Sequence, residues 1–184
     1  MTKKIAFLFP GQGSQAVGMG KDLYDNFESA KNVFDTADKV LSKNISTMCF
    51  EGPEDSLKQT INTQPSIVTM SIAAMEALKS ELDITPSYTA GHSLGEYCAM
   101  YTSGVMSLEN TLKAIQKRAD LMSATKGGSM AAVLNASEEQ LKAGLEEGSK
   151  VGYVDVANYN SPAQVVITGA EDAVKAASDY MVAN

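Results

Sequence analysis

Gly91-His92-Ser93-Leu94-Gly95 is a G-x-S-x-G pentapeptide between a predicted strand over 88–91 and a predicted helix over 94–102. A strand–turn–helix elbow of this kind is sharp, and it requires glycine two residues on either side of the serine because side chains there would collide with neighbouring backbone. The hydroxyl is then exposed above a parallel sheet, at a helix N-terminus whose N–H dipoles stabilise negative charge. The pentapeptide predicts either a nucleophilic serine, with the Leu94 N–H as an oxyanion donor, or an N-cap serine flanked by glycines.

A glycine-rich loop, Pro10–Gln15, follows a second predicted strand over 5–9. Turns at the carboxyl ends of strands are where α/β sheets place ligands, so this loop can supply another backbone N–H to an oxyanion. It can equally be a flexible turn. The loop is no P-loop, since Gly-Lys-Ser/Thr is absent, and the dinucleotide spacing G-x-G-x-x-G fails at Ala16.

Arg118 is the third candidate functional feature. It lies on a predicted amphipathic helix over 107–123, near an apolar face that we assign to Leu112, Ile115 and Met122. A guanidinium fork can hold a carboxylate through two parallel hydrogen bonds. The alternative is an ordinary solvated helix arginine.

The remaining pattern predicts an α/β chain with two domains, over 1–126 and 127–184. In the first, the spacing predicts one helix over 21–41 and a long buried helix over 67–82, with Pro65 at the position where that helix would start. After Gly127-Gly128 the pattern changes to β-α-β-β-α, one strand short of a ferredoxin-like split βαβ unit.

Composition restricts the class of protein. The chain has 184 residues, 44% hydrophobic and 20% charged, and a net charge of -7. This acidic balance argues against a general nucleic-acid binder. No apolar run approaches the ~18 residues of a membrane span, and we expect a cytoplasmic protein without membrane contact. Cys49 and Cys98 stand alone, which predicts buried thiols rather than a disulfide or a metal site.

Five segments together resemble the acyl carrier protein S-malonyltransferase family, the malonyl-CoA:acyl carrier protein transacylases. They occur in the family's order: FPGQGSQ at 9–15, TQPSI at 63–67, GHSLGEYCA at 91–99, QKRADLM at 116–122 and ANYNSPAQVVITG at 157–169. The resemblance implies an α/β-hydrolase-like parallel sheet domain with an inserted ferredoxin-like small subdomain. Both would be incomplete at the C-terminus, so the chain would be the N-terminal portion of the family length.

The resemblance also implies residue roles. Ser93 matches the serine that takes the malonyl group as an ester, and Gln12 and Leu94 match the N–H donors of its oxyanion hole. Arg118 matches the arginine that pairs with the free malonyl carboxylate. The other implied substrate-binding residues are His92 and Gln64. The implied reaction moves malonyl from malonyl-CoA to the phosphopantetheine thiol of acyl carrier protein in fatty acid biosynthesis, without a metal or other cofactor.

One component of the family pattern is missing. The family's general-base histidine lies in a GAFHS-like segment that this sequence lacks, and its only histidine is His92. Adjacent side chains at an elbow point in different directions, so we do not expect His92 to serve Ser93 as a base. The chain alone is therefore expected to be a poor catalyst. Two alternatives stay open: a serine hydrolase or thioesterase, against which Arg118 argues, and an inactive carrier-binding fragment.

Overall fold

The computed structural model describes residues 4–183. The chain divides into two compact units, Met1–Ala124 and Thr125–Asn184. Each unit combines a small sheet with helices, and the predicted α/β class is confirmed at this level.

The first unit has two strands and seven helices among its described residues. In chain order they are β1 (Ala6–Phe9), α1 (Lys21–Asn26), α2 (Glu28–Leu41), α3 (Ile45–Glu51), α4 (Glu54–Leu57), α5 (Thr60–Glu81), β2 (Tyr88–Gly91), α6 (Gly95–Thr102) and α7 (Leu108–Ala124). Strands β1 and β2 pair in parallel, with Ala6 opposite Tyr88 and Phe9 opposite Gly91. Since parallel strands end at the same edge of a sheet, the glycine-rich loop and the elbow emerge side by side.

Helix α5 is the centre of the first core. Its sequence is apolar around most of its circumference, as expected for a helix that is packed on several sides. Ile67, Val68 and Ile72 are buried in one cluster with Phe34 of α2 and Leu112 of α7. This packing fixes α5 and α7, which carry Gln64 and Arg118.

Among residues 4–183, none of the helices combines the length and the apolar character that crossing a membrane requires.

The prediction of a single helix over 21–41 is wrong. The chain breaks at Phe27, whose backbone is extended (φ -129°, ψ 115°). Its N–H donates to the Leu23 carbonyl at 2.9 Å and ends α1, while its carbonyl accepts from the Lys31 N–H at 3.0 Å and begins α2. The apolar spacing continues across the break because both helices face the same core, so periodicity alone could not show it.

The prediction that a helix begins at Pro65 is also wrong. Helix α5 begins at Thr60, and Pro65 lies inside it. The first turn is already closed before the proline, since the N–H groups of Asn62 and Thr63 both donate to the Gln59 carbonyl at 2.8 Å. The pyrrolidine ring removes one i to i-4 hydrogen bond, and the helix continues because its flanks are buried.

The second unit has the predicted β-α-β-β-α order: β3 (Gly128–Leu134), α8 (Glu138–Gly148), β4 (Val154–Ser161), β5 (Gln164–Ala170) and α9 (Glu171–Ala183). Its strands form an antiparallel sheet in the order β3-β5-β4. Ile167 of β5 is fully buried against Ala173 and Ala177 of α9. Ser137 begins α8 with a capping box, in which its hydroxyl accepts from the Gln140 N–H and its own N–H donates to the Gln140 side chain.

Candidate active site

The strand-to-helix turn places Ser93 at the end of β2, directly before α6. Ser93 has φ 54°, in the left-handed region that residues with a Cβ rarely occupy. The turn is closed by two hydrogen bonds, from the Gly95 N–H to the His92 carbonyl at 3.0 Å and from the Glu96 N–H to the Ser93 carbonyl at 3.2 Å. Strain of this kind persists where the surroundings enforce it, and it is common at catalytic positions.

The two glycines of the pentapeptide are required by close backbone approaches. A Cβ on Gly91 would lie 1.9 Å from the carbonyl carbon of Gly95. A Cβ on Gly95 would lie 2.6 Å from the carbonyl oxygen of Phe9, on β1. Both distances are far below contact, so the helix can approach the strands only without side chains there. The steric argument made from the sequence is confirmed.

The glycine-rich loop lies against the elbow. The His92 N–H donates to the Phe9 carbonyl at 3.0 Å, and a Cβ on Gly11 would lie 2.4 Å from His92 Nδ1. Gln12 follows Gly11, and its side chain donates to Thr60 Oγ1 at 3.3 Å. Within residues 4–183 the backbone N–H groups of Gln12 and Leu94 have no hydrogen-bond partner. They remain candidate oxyanion donors, as the resemblance implies.

Arg118 joins two of the predicted site residues. Its Nη2 donates to Ser93 Oγ at 2.9 Å, and its Nη1 donates to Gln64 Oε1 at 2.7 Å. Gln64 is fully buried on α5, so its amide is held in place by the core. The cation stabilises negative charge on Oγ, but a guanidinium has no lone pair to accept the hydroxyl proton.

Met122 was not predicted as part of the site. We assigned it to the apolar face of α7 together with Leu112 and Ile115, and these two residues are buried whereas Met122 is 44% exposed. Its Sδ accepts a hydrogen bond from Gln64 Nε2 at 3.2 Å. Met122 follows Arg118 by four residues, a spacing that puts both side chains on one helix face. That spacing is the one sequence signal that could have linked Met122 to the site.

Neither cysteine is a candidate nucleophile. Both thiols are buried and free of disulfides, as predicted. Burial raises the pKa of Cys98, and likewise the pKa of Cys49, to about 12. Since the thiolate is the reactive form, these thiols are inert in the folded chain at neutral pH.

Fold and site together place the Ser93 hydroxyl on a sharp strand-to-helix turn, with one guanidinium on the hydroxyl and candidate backbone donors beside the turn. The chain belongs to the acyl transferase domain family, whose model matches residues 6–183.

Known proteins support this membership. The malonyl CoA-acyl carrier protein transacylase of Bacillus subtilis (strain 168) is 44% identical over 185 residues, which cover 98% of this chain and 58% of that protein. The crystal structure of the transacylase of the same name from Clostridium perfringens is 40% identical, with a TM-score of 0.90, over 98% of this chain and 58% of that one. A malonyl-transacylase in complex with its type II polyketide acyl-carrier protein is 34% identical, with a TM-score of 0.91, over 98% of this chain and 60% of that one. The chain therefore spans about 58–60% of the length of these relatives.

Proposed function

We propose that this chain carries the acyl-serine part of a malonyl transfer from malonyl-CoA to the phosphopantetheine thiol of acyl carrier protein, in fatty acid biosynthesis. The observation that carries the proposal is the hydrogen bond of 2.9 Å from Arg118 Nη2 to Ser93 Oγ. The names of the relatives, malonyl CoA-acyl carrier protein transacylases, supply the chemical class of donor and acceptor.

The position of Arg118 suits a malonyl ester. In malonyl-Ser93 the free carboxylate is separated from Oγ by the ester carbon and one methylene. A fork that already touches Oγ can therefore pair with that carboxylate after a small rotation, in the bidentate geometry that guanidinium favours. An acetyl ester has no such partner, so Arg118 gives selectivity for an acid-bearing acyl group.

The transfer has two balanced steps. Ser93 Oγ attacks the thioester carbon of malonyl-CoA and loses its proton, while the Leu94 and Gln12 N–H groups stabilise the oxyanion. The carbon–sulfur bond breaks, and coenzyme A leaves and takes up a proton. The carrier thiol then attacks the ester carbon and loses its proton, and the carbon–oxygen bond to Ser93 breaks as Oγ regains one.

The proton from Oγ needs an acceptor. Arg118 cannot be one, since guanidinium is protonated throughout the physiological range. His92 adjoins Ser93 at the turn and is assigned a place beside the acyl group rather than the role of base. We therefore expect this chain alone to load malonyl slowly, with the elbow and oxyanion donors giving residual catalysis.

The proposal includes the finer fold. The order β3-β5-β4 is the order of the first, third and second strands of a split βαβ unit, which supports a ferredoxin-like small subdomain. The parallel pair β1-β2, followed by the elbow, supports an α/β-hydrolase-like sheet in the first unit.

Intact-mass measurement after incubation with malonyl-CoA tests the proposal. We expect a malonyl adduct that forms slowly, maps to Ser93 and is absent in Ser93→Ala. When holo acyl carrier protein is added, the adduct should disappear from this chain and the carrier should become malonylated. Free malonate in place of malonyl-carrier would indicate a hydrolase. A folded chain that binds the carrier but never forms the adduct would overturn the proposal in favour of a non-catalytic carrier-binding chain.

A further inference from the structure

Four side chains of the first unit form a continuous hydrogen-bonded series. Gln64 Nε2 donates to Met122 Sδ at 3.2 Å, and Gln64 Oε1 accepts from Arg118 Nη1 at 2.7 Å. Arg118 Nη2 then donates to Ser93 Oγ at 2.9 Å. Met122 is thus connected to the serine through two intermediates, although it contacts neither the hydroxyl nor the guanidinium by a hydrogen bond.

The amide of Gln64 has only one workable orientation in this series. Arginine offers donors and no acceptor, so a flipped amide would set NH₂ against the guanidinium. When Oε1 accepts from Arg118, the Nε2 donors point away from the guanidinium. Gln64 is 0% exposed, so these donors are shielded from water. A buried donor without an acceptor is costly, and the Met122 thioether supplies a weak but correctly placed one.

We propose that Met122 is a positioning residue for the acyl-transfer site. Its sulfur fixes the Gln64 amide, and the Gln64 carbonyl in turn holds the guanidinium of Arg118 in the plane that faces Ser93. The inference rests on the proposed function for its substrate, because a guanidinium fixed in one orientation matters most for an acyl group that carries a carboxylate. It assigns malonyl selectivity partly to a residue that has no hydrogen bond to Ser93 or to Arg118.

Substitutions at Met122 distinguish the effect of its sulfur acceptor from the effect of its side-chain volume. Met122→Leu keeps the size and removes the acceptor, whereas Met122→Gln restores an acceptor oxygen. Met70→Leu is the matched control, because Met70 lies on the same helix as Gln64, is partly buried against the core and is not part of the series.

The first measurement needs no activity. Arg118 is the only arginine of the chain, so its guanidinium signals in a ¹⁵N NMR spectrum need no further assignment. We expect separate, slowly exchanging Nη–H signals in the wild type, in Met122→Gln and in Met70→Leu. In Met122→Leu we expect guanidinium rotation to be at least about fivefold faster, the factor for one unpaired buried donor.

The second measurement is the rate of acyl loading on Ser93. Met122→Leu should slow loading from malonyl-CoA about fivefold and leave loading from acetyl-CoA within about twofold, with recovery in Met122→Gln. Three results would each overturn the proposal: fast guanidinium rotation in the wild type, an unchanged rotation rate in Met122→Leu, or equal losses of loading rate for both acyl donors in Met122→Leu. A wild type that loads neither donor contradicts the proposed function instead, and the NMR measurement then decides the inference alone.

Discussion

Arg118 is shared between two partners, the Gln64 carbonyl and the Ser93 hydroxyl, and this sharing is a property of its planar fork. We expect Arg118→Ala to lower malonyl loading on Ser93 about 100-fold or more, because a charged hydrogen-bonded partner of the carboxylate is lost. Acetyl loading should fall far less, since the acetyl ester makes no ion pair. Intact-mass kinetics with the two donors measure the ratio directly.

Lys117→Ala provides the control for Arg118→Ala. Lys117 adjoins Arg118 on α7 but is exposed. The substitution therefore removes one positive charge from the same region without changing the guanidinium of Arg118. Its malonyl and acetyl rates should both stay within about twofold of the wild type, since an exposed charge acts weakly through water. Equal losses for the two donors in Arg118→Ala would contradict the assignment of Arg118 to the carboxylate.

Cys98 makes the stability of the first unit sensitive to alkaline pH. Burial raises the pKa of its thiol from 9.0 to about 12 in the folded chain. Below pH 9 both states hold the proton, and above it the unfolded chain releases the proton first, so stability falls as pH rises from 9 toward 12. The slope for one such thiol is about 1.4 kcal/mol per pH unit.

Urea denaturation at pH 8 and at pH 10 checks this expectation. The wild type should lose about 1 kcal/mol more than Cys98→Ala between the two pH values, since lysine and tyrosine titration is common to both proteins. Equal losses would mean that the folded thiol ionises at its ordinary pKa.

Residue patterns could predict the elbow around Ser93 but not the side chains that surround it. The glycines around Ser93 predict the elbow because the steric requirement is local. The contact between Gln64 and Arg118 joins residues 54 positions apart, and only the packing of α5 against α7 creates it. The resemblance named both residues without showing that they bond to each other, and Met122 was assigned only to an apolar helix face because hydropathy does not register a thioether acceptor.

At the scale of elements, the site depends on how closely α6 approaches β1. Gly95→Ala would place a Cβ 2.6 Å from the Phe9 carbonyl oxygen, which is backbone and cannot rotate away. We expect the substitution to lower the free energy of unfolding of the first unit by about 2–4 kcal/mol, because strand and helix must separate. It should also abolish malonyl loading, since the turn that carries Ser93 would shift.

Gly128→Ala is the matched glycine substitution. A Cβ there would have one neighbour, the Gly169 carbonyl oxygen, at 3.9 Å, which is ordinary contact. Its free energy of unfolding should stay within about 0.5 kcal/mol of the wild type in the same chemical denaturation experiment. A Gly95→Ala variant as stable as Gly128→Ala would show that α6 can move away from β1 at little cost.

The elements were predictable where local chemistry and apolar spacing agree. The order of the second unit follows from alternating strands, turn residues and the capping box at Ser137. The break at Phe27 and the early start of α5 were missed because single backbone hydrogen bonds decide them. Such bonds leave no trace in the spacing of apolar residues, and the buried flanks of α5 outweigh the preference of Pro65 for a first turn.

At the scale of the whole molecule, β1 is unusually exposed for a strand of a parallel sheet. Parallel sheets are normally covered on both faces. Here Leu8 is 76% exposed, and a groove beside the strand is lined by apolar side chains. They include Phe7, Phe9, Met70, Met75 and Leu78. Within residues 4–183 strand β1 pairs with β2 alone, and a strand edge without a partner next to an apolar groove favours pairing between molecules.

We therefore expect the chain to self-associate through β1, and Leu8→Lys to weaken this association. A lysine at that position places a charge on the exposed strand, which opposes edge-to-edge pairing, and should lower the apparent association constant about tenfold. Sedimentation velocity over a range of protein concentrations measures the change. Val182→Lys is the control, because Val182 is 89% exposed and lies on helix α9 rather than on β1, and this substitution should leave association unchanged. If both variants reduce association equally, net charge is responsible and the strand edge is not the contact. If neither does, the exposed face of β1 is not where copies of this chain meet.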